Sequence, residues 1–301
     1  MGIEKVLLCG LGAVGLTYAN KLKNICTLKI LADKKRIEKY TQNIPKLNGQ
    51  NISLDYITPN SSWNPDLIII STKMQGLEDA IEYIKNYVGN ETIIISLING
   101  ISSENQIAEK YGWNKVLHSY FIGHSAVRED NKVTQDGVGK IVFGSPHNFN
   151  LQKVQELKKF FEYGNIDYEI PKDIIYSLWL KYTLNVFSNQ ASAIMNLTFG
   201  EMKSEKFQSF AKKIINEVKN IAEAEKVKGS KNLEKDSIKA LLSMVDDGKT
   251  SMLQDIMAGR KTEVDIFAGE IIRLGEKHNI PTPYNEIMYD MIKILEEKNR
   301  V

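Results

Sequence analysis

Three short apolar runs, residues 5–9, 66–71 and 92–97, stand against stretches in which apolar residues return every three or four positions. Such runs, two of them rich in isoleucine and bounded by turn residues, predict strands buried on both faces of a parallel sheet. A further β-type run over 26–32 ends at Asp33. Residues 16–23 and about 77–87 have helical spacing, so strand and helix alternate as in βαβ units. From about Lys115 the pattern changes. Residues 115–144 alternate apolar and polar, with glycines at 123, 137, 139 and 144, and predict strands and turns that complete a first domain.

A helix over 151–163 and a strand-like piece over 166–170 precede Pro171, the predicted hinge. Beyond it, residues 173–197, 204–228, 234–246, 251–278 and 284–298 have helical spacing, and no strand is expected. The prediction is an α/β domain over 1–168 followed by an all-α domain over 169–301.

Between the first strand and the first helix lies Gly10-Leu11-Gly12-Ala13-Val14-Gly15. A strand–glycine–helix turn of this spacing uses one glycine for the bend, one for close backbone approach to a pyrophosphate and one for helix–strand packing. The phosphates then sit at a helix N-terminus, where free N–H groups and the dipole favour negative charge. The turn makes the first domain Rossmann-type and dinucleotide-binding; the competing reading is a glycine turn with no ligand.

Bulk properties narrow the function classes. A length of 301 residues suits two domains. With Lys+Arg 39 against Asp+Glu 37, the formal charge is only +2, so no general attraction to nucleic acid or membrane is expected. The opening residues lack the apolar stretch of a signal peptide, no run is long enough to span a membrane, and Cys9 and Cys26, both expected in strands, give no disulfide framework. The expected setting is cytoplasmic. The expected partners are a small-molecule substrate, no nucleic acid and no membrane, with a homodimer left open.

Within the apolar segment 177–191, Lys181, Asn185 and Asn189 recur every fourth residue and share one helical face. Flanking Trp179, Leu184, Val186 and Phe187 predict a buried helix, so this polar stripe needs partners, which a ligand supplies; the alternative is a solvated stripe. A second constellation, residues 251–265, spaces Ser251, Asp255 and Thr262, and Asp255, Gly259 and Glu263, at roughly helical intervals. An N-capped, salt-bridged surface helix explains this equally well. No metal-ligand cluster is expected, and His118, His124, His147 and His278 are given no role.

Taken in order, GLGAVG at 10–15, STK at 71–73, LING at 97–100, LWLKYTLNVFSNQ at 178–190, TFGEM at 198–202 and SMLQDIMAGRKTEVD at 251–265 resemble the ketopantoate reductase (2-dehydropantoate 2-reductase) family. The resemblance covers nearly the whole chain. It implies reduction of a 2-keto acid, ketopantoate, by NADPH in a cleft between the two domains. It implies Lys181 as general acid, Glu263 as the carboxylate that orients lysine and substrate, and Asn185, Asn189 and Ser251 as substrate-holding groups. Asn99 is implied near both nicotinamide and substrate, and Lys73 near the cofactor. With Gly10, Leu11, Gly12, Ala13, Val14, Gly15, Asp33 and Lys34, these complete the expected cofactor site. A ketone gains negative charge on oxygen during hydride transfer, which an ammonium stabilises more in the transition state than in the ground state. Burial would lower the Lys181 pKa, while Glu263 would hold the ammonium charged.

The sequence departs from the family pattern at three places. Asp33 stands where arginine is common for the 2′-phosphate of NADPH, and an acid there suits the ribose 2′-OH of NADH, although Lys34, Lys35 and Arg36 follow. Phe267-Ala268-Gly269 and Ile98 replace an Asn-Gly pair and a glutamine, which leaves another 2-keto acid open as substrate. The other readings are a related two-domain dehydrogenase of the 3-hydroxyacid or glycerol-3-phosphate type, and a regulator that binds a nicotinamide nucleotide without turnover.

Overall fold

The computed structural model describes residues 2–123, 126–135, 137, 139–146 and 149–298. Contacts group the chain into two units, Met1–Ile174 and Ile175–Val301.

In the first unit the elements run β1 (Lys5–Cys9), α1 (Ala13–Leu22), β2 (Thr27–Leu31), α2 (Lys34–Gln42), β3 (Lys46–Leu47), β4 (Gln50–Asn51), β5 (Tyr56–Ile57), β6 (Leu67–Ile70) and α3 (Leu77–Tyr83). They continue through β7 (Ile93–Ser96), α4 (Ser103–Tyr111), β8 (Val116–Ile122), β9 (Ala126–Glu129), β10 (Lys132–Gln135), β11 (Lys140–Gly144), α5 (Leu151–Tyr163) and β12 (Tyr168–Glu169). Eight strands form one sheet in the order β12-β11-β8-β7-β6-β1-β2-β5, parallel except where β11 pairs antiparallel with β8. Its apolar runs alternate between faces: Val6, Leu8, Ile69 and Ile95 pack with Leu16, Tyr18 and Phe161, while Leu7, Ile68, Ile70 and Ile94 pack with Leu77, Ala80 and Ile107. Both faces are covered by helices, which explains why the strands read as unbroken isoleucine. Because β1 pairs with β2 on one side and β6 on the other, the chain changes direction across the sheet at β1, and such switch points are where nucleotides bind in open α/β sheets.

The segment 115–144 splits in two. β8 and β11 extend the large sheet, whereas β9 and β10 join β3 and β4 in a separate sheet of order β4-β3-β10-β9. Cys26 precedes β2 instead of lying in it, and α3 ends at Tyr83, short of the predicted Tyr87.

Among its described residues the regular elements of the second unit are all helices: α6 (Ile174–Met195), α7 (Glu205–Ala224), α8 (Leu233–Leu242), α9 (Ser251–Met257), α10 (Ala268–His278) and α11 (Pro283–Lys298), with short 3-10 turns between some of them. In α7, Phe207, Ala211, Ile214, Ile215, Val218 and Ile221 are buried at helical spacing, and Ser204 caps its start by accepting from the Phe207 N–H at 3.4 Å. Buried Glu217 of α7 accepts from the N–H groups of Tyr284 and Asn285 at 2.8 and 3.1 Å, which satisfies the first turn of α11. The helix predicted over 251–278 is broken: α9 stops at Met257, Gly259 takes a φ of +64°, and α10 begins only at Ala268. Asp255, Gly259 and Glu263 therefore do not share a helical face.

No described helix is long and apolar enough to cross a membrane.

Candidate functional site

Each glycine of the turn answers a different physical demand. Gly10 has a φ of +104°, and a Cβ there would stand 2.7 Å from the backbone of Ser71 and Thr72 at the end of β6. A Cβ on Gly15 would collide with the Gly10 carbonyl oxygen and stand 2.6 Å from Ser71 Oγ, so Gly15 lets α1 pack on the sheet. Ser71 Oγ donates to that same carbonyl at 2.8 Å and ties the turn to β6. Gly12 differs, since its nearest neighbour to an added Cβ is 3.8 Å away. Protein packing does not require glycine at 12, whereas backbone approach by a ligand does. Gly12 is also the N-cap of α1 and supplies no side-chain cap, which leaves the N–H groups of Ala13 and Val14 at a helix N-terminus. Leu11 is buried at the head of the turn.

At the end of β2, Asp33 is the N-cap of α2. Its Oδ1 accepts from the Arg36 N–H at 2.8 Å, and Oδ2 lies 3.4 Å from Arg36 Nε. The carboxylate is thus committed to local partners, and Lys34, Lys35 and Arg36 are exposed on the first turn of α2. Lys73 is exposed after β6 and caps a 3-10 turn. Asn99 is half-buried after β7, next to Gly100 with a φ of +105°. Close by in the chain and in β8, the buried Ser96, Ser103, Glu104 and Ser119 bond to one another: Ser103 Oγ donates to Glu104 Oε2 at 2.9 Å, and Ser119 Oγ donates to the Ser96 carbonyl at 2.8 Å. The Cys9 thiol beside the turn is pushed up to about 12 by burial, so it stays protonated and takes no part in acid–base chemistry near neutrality.

In the second unit, Lys181 and Asn185 are half-buried and Asn189 is buried, so the predicted stripe is only partly sequestered. Asn189 Nδ2 donates to Asn185 Oδ1 at 3.3 Å, one turn along α6. Asn189 Oδ1 accepts from Ser251 Oγ at 3.1 Å and from the Met252 N–H at 3.1 Å. Hydrogen bonds therefore join Asn185, Asn189 and Ser251, and Asn189 also satisfies the N-terminus of α9 beside Thr250, which accepts from Leu253 N–H at 3.2 Å. Glu263 is half-buried in the turn between α9 and α10. That turn is held at both ends. Arg260 Nε donates to Asp255 Oδ1 at 2.7 Å, while Asp265 accepts from Tyr289 and lies 2.7 Å from Lys293 Nζ on α11. These partners hold the Asp265 carboxyl below the usual carboxylate range despite its partial burial.

The sequence offered no sign of Glu296, which fixes this turn, or of Arg128, which reaches the glycine turn; their partners lie 34 and 117 residues away. His118 is buried against Trp113 and His278 pairs with Glu225, while His124 and His147 lie outside the described residues. Among the described residues no group of three metal-ligating side chains forms.

Residues 6–148 match the profile described as ketopantoate reductase PanE/ApbA, and residues 173–296 match its C-terminal part. The chain is 26% identical over 296 residues to a 2-dehydropantoate 2-reductase of Vibrio cholerae, across 97% of this chain and 98% of that protein. It is 28% identical over 297 residues to one of Pyrococcus horikoshii, across 97% of each. Among solved structures, a D-mandelate dehydrogenase with NADH and anilino(oxo)acetate aligns with a TM-score of 0.85 at 20% identity, over 99% of each chain. A PanE/ApbA family ketopantoate reductase from Ralstonia eutropha JMP134 aligns at 0.81 and 21%, over 99% of this chain and all of that one. With a nucleotide-type glycine turn on a parallel sheet, a helical second unit and both halves matched in order, the chain belongs to the ketopantoate reductase family of nicotinamide-nucleotide-dependent oxidoreductases.

Proposed function

We propose that the chain reduces ketopantoate to pantoate with NADPH, as an enzyme of pantothenate biosynthesis acting in the cytoplasm. The observation behind this reading is the hydrogen-bonded set Asn185, Asn189 and Ser251, the first two on the helix that bears Lys181. Those are the residues for which the family resemblance implies a substrate role.

The glycine turn suits the cofactor: Gly12 leaves room for a phosphate, and the Ala13 and Val14 N–H groups and the α1 dipole favour its charge. Gly10 to Gly15, Lys73 and Asn99 would hold it, and when bound it supplies the hydride. Lys34, Lys35 and Arg36, on the first turn of α2, suit the 2′-phosphate. Asp33 supports the choice of NADPH because its oxygens already accept from the Arg36 N–H and face its guanidinium.

Asn185, Asn189 and Ser251 hold the substrate's oxygens, each as a neutral group able to donate and accept. The carbonyl carbon takes the hydride, which brings two electrons and one proton, and Lys181 donates a second proton to the keto oxygen, so the ketone becomes the alcohol and Lys181 is left as the neutral amine. Glu263 orients the Lys181 ammonium and the substrate hydroxyl. In this scheme the first unit binds the nucleotide and the second performs the proton transfer.

A second reading, reduction of a different 2-keto acid with NADH, is favoured by Ile98 beside Asn99 and by the D-mandelate dehydrogenase likeness. Steady-state assays of ketopantoate and of an aryl 2-keto acid, each with NADPH and NADH, separate the two. The proposal expects the highest kcat/KM for ketopantoate with NADPH. A higher value for the aryl acid overturns the substrate, and a higher value with NADH overturns the cofactor.

A further inference from the structure

Arg128 lies on β9, in the smaller sheet, yet its guanidinium reaches the glycine turn of the larger one. Its Nη1 donates to the Leu11 carbonyl, and its Nε donates to the Asp130 carbonyl at 2.8 Å. A second bond joins the same elements, because Thr17 Oγ1 of α1 donates to Gln135 Oε1 of β10 as well as to the Ala13 carbonyl at 3.0 Å. The smaller sheet is thereby fastened over the first half of α1, with Arg128 at the turn itself.

Both bonds from Arg128 to described residues end on neutral backbone carbonyls. Any short polar side chain satisfies a carbonyl, whereas a guanidinium offers five N–H groups in a planar fork and a permanent positive charge. At this position the remaining N–H groups and the charge lie beside the residues whose backbone suits a pyrophosphate, and guanidinium–phosphate pairing is the strong, two-pronged kind.

We propose that Arg128 is a nucleotide-binding residue whose guanidinium takes a pyrophosphate oxygen of the bound dinucleotide. The inference rests on the nicotinamide-nucleotide reading of the glycine turn and adds to it a ligand from a separate sheet. It also explains what that sheet is for, since β3, β4 and β10 hold β9 and Arg128 against the turn.

The test is calorimetric titration of the full chain with NADPH and with NADH, at two salt concentrations, for wild type, Arg128→Lys and Arg128→Met, with thermal melts of each. Loss of a charge-assisted bond predicts about 10- to 100-fold weaker binding of both nucleotides by Arg128→Met, with a smaller loss for Arg128→Lys. The salt dependence of binding should be shallower in Arg128→Met. An equal loss for the two nucleotides identifies the pyrophosphate, the phosphate group they share. Affinities within twofold of wild type overturn the proposal, and so does a loss confined to NADPH, which would put Arg128 on the 2′-phosphate. If Arg128→Met does not fold, Arg128→Lys decides on the same scale, an unchanged affinity overturning the proposal. A wild-type chain that binds neither nucleotide overturns the underlying reading, and that failure is distinct because it precedes any substitution.

Discussion

Glu296 Oε1 accepts two hydrogen bonds from Thr262, one from the backbone N–H at 2.7 Å and one from Oγ1 at 2.6 Å, and both residues are buried. Thr262 Oγ1 in turn accepts from the Val264 N–H at 3.2 Å, so one carboxylate near the end of α11 fixes the residues on either side of Glu263. The half-buried Glu263 is held by its neighbours' backbone more than by regular secondary structure. The buried Glu296 is the demanding group, since its oxygen has left water and depends on the Thr262 donors.

Replacing Glu296 with alanine strands the Thr262 N–H, and an unsatisfied buried donor costs on the order of 1–3 kcal/mol. Glu296→Ala should lower stability by about that amount in denaturant titration, with reductase kcat falling and nucleotide Kd unchanged. Glu296→Gln keeps an acceptor oxygen and should lose less of both. A kcat unchanged in both variants would show that the Glu263 turn holds without α11.

Two glycines of the turn make opposite predictions. An added Cβ at Gly15 meets the Gly10 carbonyl and Ser71 Oγ, so Gly15→Ala should lower the melting temperature markedly. At Gly12 the nearest atom is 3.8 Å away, so Gly12→Val should fold and melt near wild type yet fail to bind nucleotide in calorimetry. Undiminished nucleotide binding by folded Gly12→Val would place the site elsewhere.

The parallel sheet was legible because its strands are covered on both faces: Leu67 to Ile70 and Ile93 to Ile95 are almost wholly buried, and that burial is written as unbroken apolar sequence. The two-residue strands β3, β4 and β5 are too short to show a period, and the pairing that makes a second sheet of β3, β4, β9 and β10 has no local signature. The break after α9 was hidden for a different reason. Thr262 is buried just ahead of a 3-10 turn, Val264–Ile266, in which Val264, Ile266 and the following Phe267 are buried, so apolar spacing continues past Gly259, where the chain has left the α-helix. In the candidate site, Lys181, Asn185 and Asn189 could be read from a spacing of four. The bond from Ser251 to Asn189 spans 62 residues and has no local signature; the resemblance implied only a shared substrate role for the two. Arg128 and Glu296 sit among ordinary surface-type charges in the sequence, and only tertiary contact distinguishes them.

His118 predicts an acid limit to stability. It is buried against the Trp113 ring, 4.8 Å between centroids, and burial pushes its pKa down to about 4 from 6.5. The folded state keeps the ring neutral while the unfolded chain takes up a proton below 6.5, so the unfolded state binds more protons and stability falls as the pH drops from 6.5 towards 4. The loss should approach about 3 kcal/mol at 1.36 kcal/mol per pH unit. His118→Phe retains the stacking and removes the titration, so its melting temperature should fall less than that of wild type over this window. Parallel curves for the two proteins would remove His118 from the acid response.

Lys181 gives the most direct test of the chemistry. It sits on α6 one turn before Asn185, half-buried, on a helix whose next two turns supply Asn185 and Asn189. If it donates the proton, Lys181→Ala should lower kcat by about 10²–10⁴-fold, the usual contribution of a general acid, while nucleotide Kd stays within a factor of two because the glycine turn is untouched. Asn189→Ala should behave differently. It strands the Met252 N–H as well as removing a bond from Ser251, so KM should rise together with a loss of stability of about 1–3 kcal/mol. Binding, proton transfer and helix support are thus separable in three measurements, nucleotide titration, steady-state rate and thermal melting. A Lys181→Ala enzyme that keeps more than a tenth of the wild-type kcat makes the polar stripe of α6 structural and requires another proton donor.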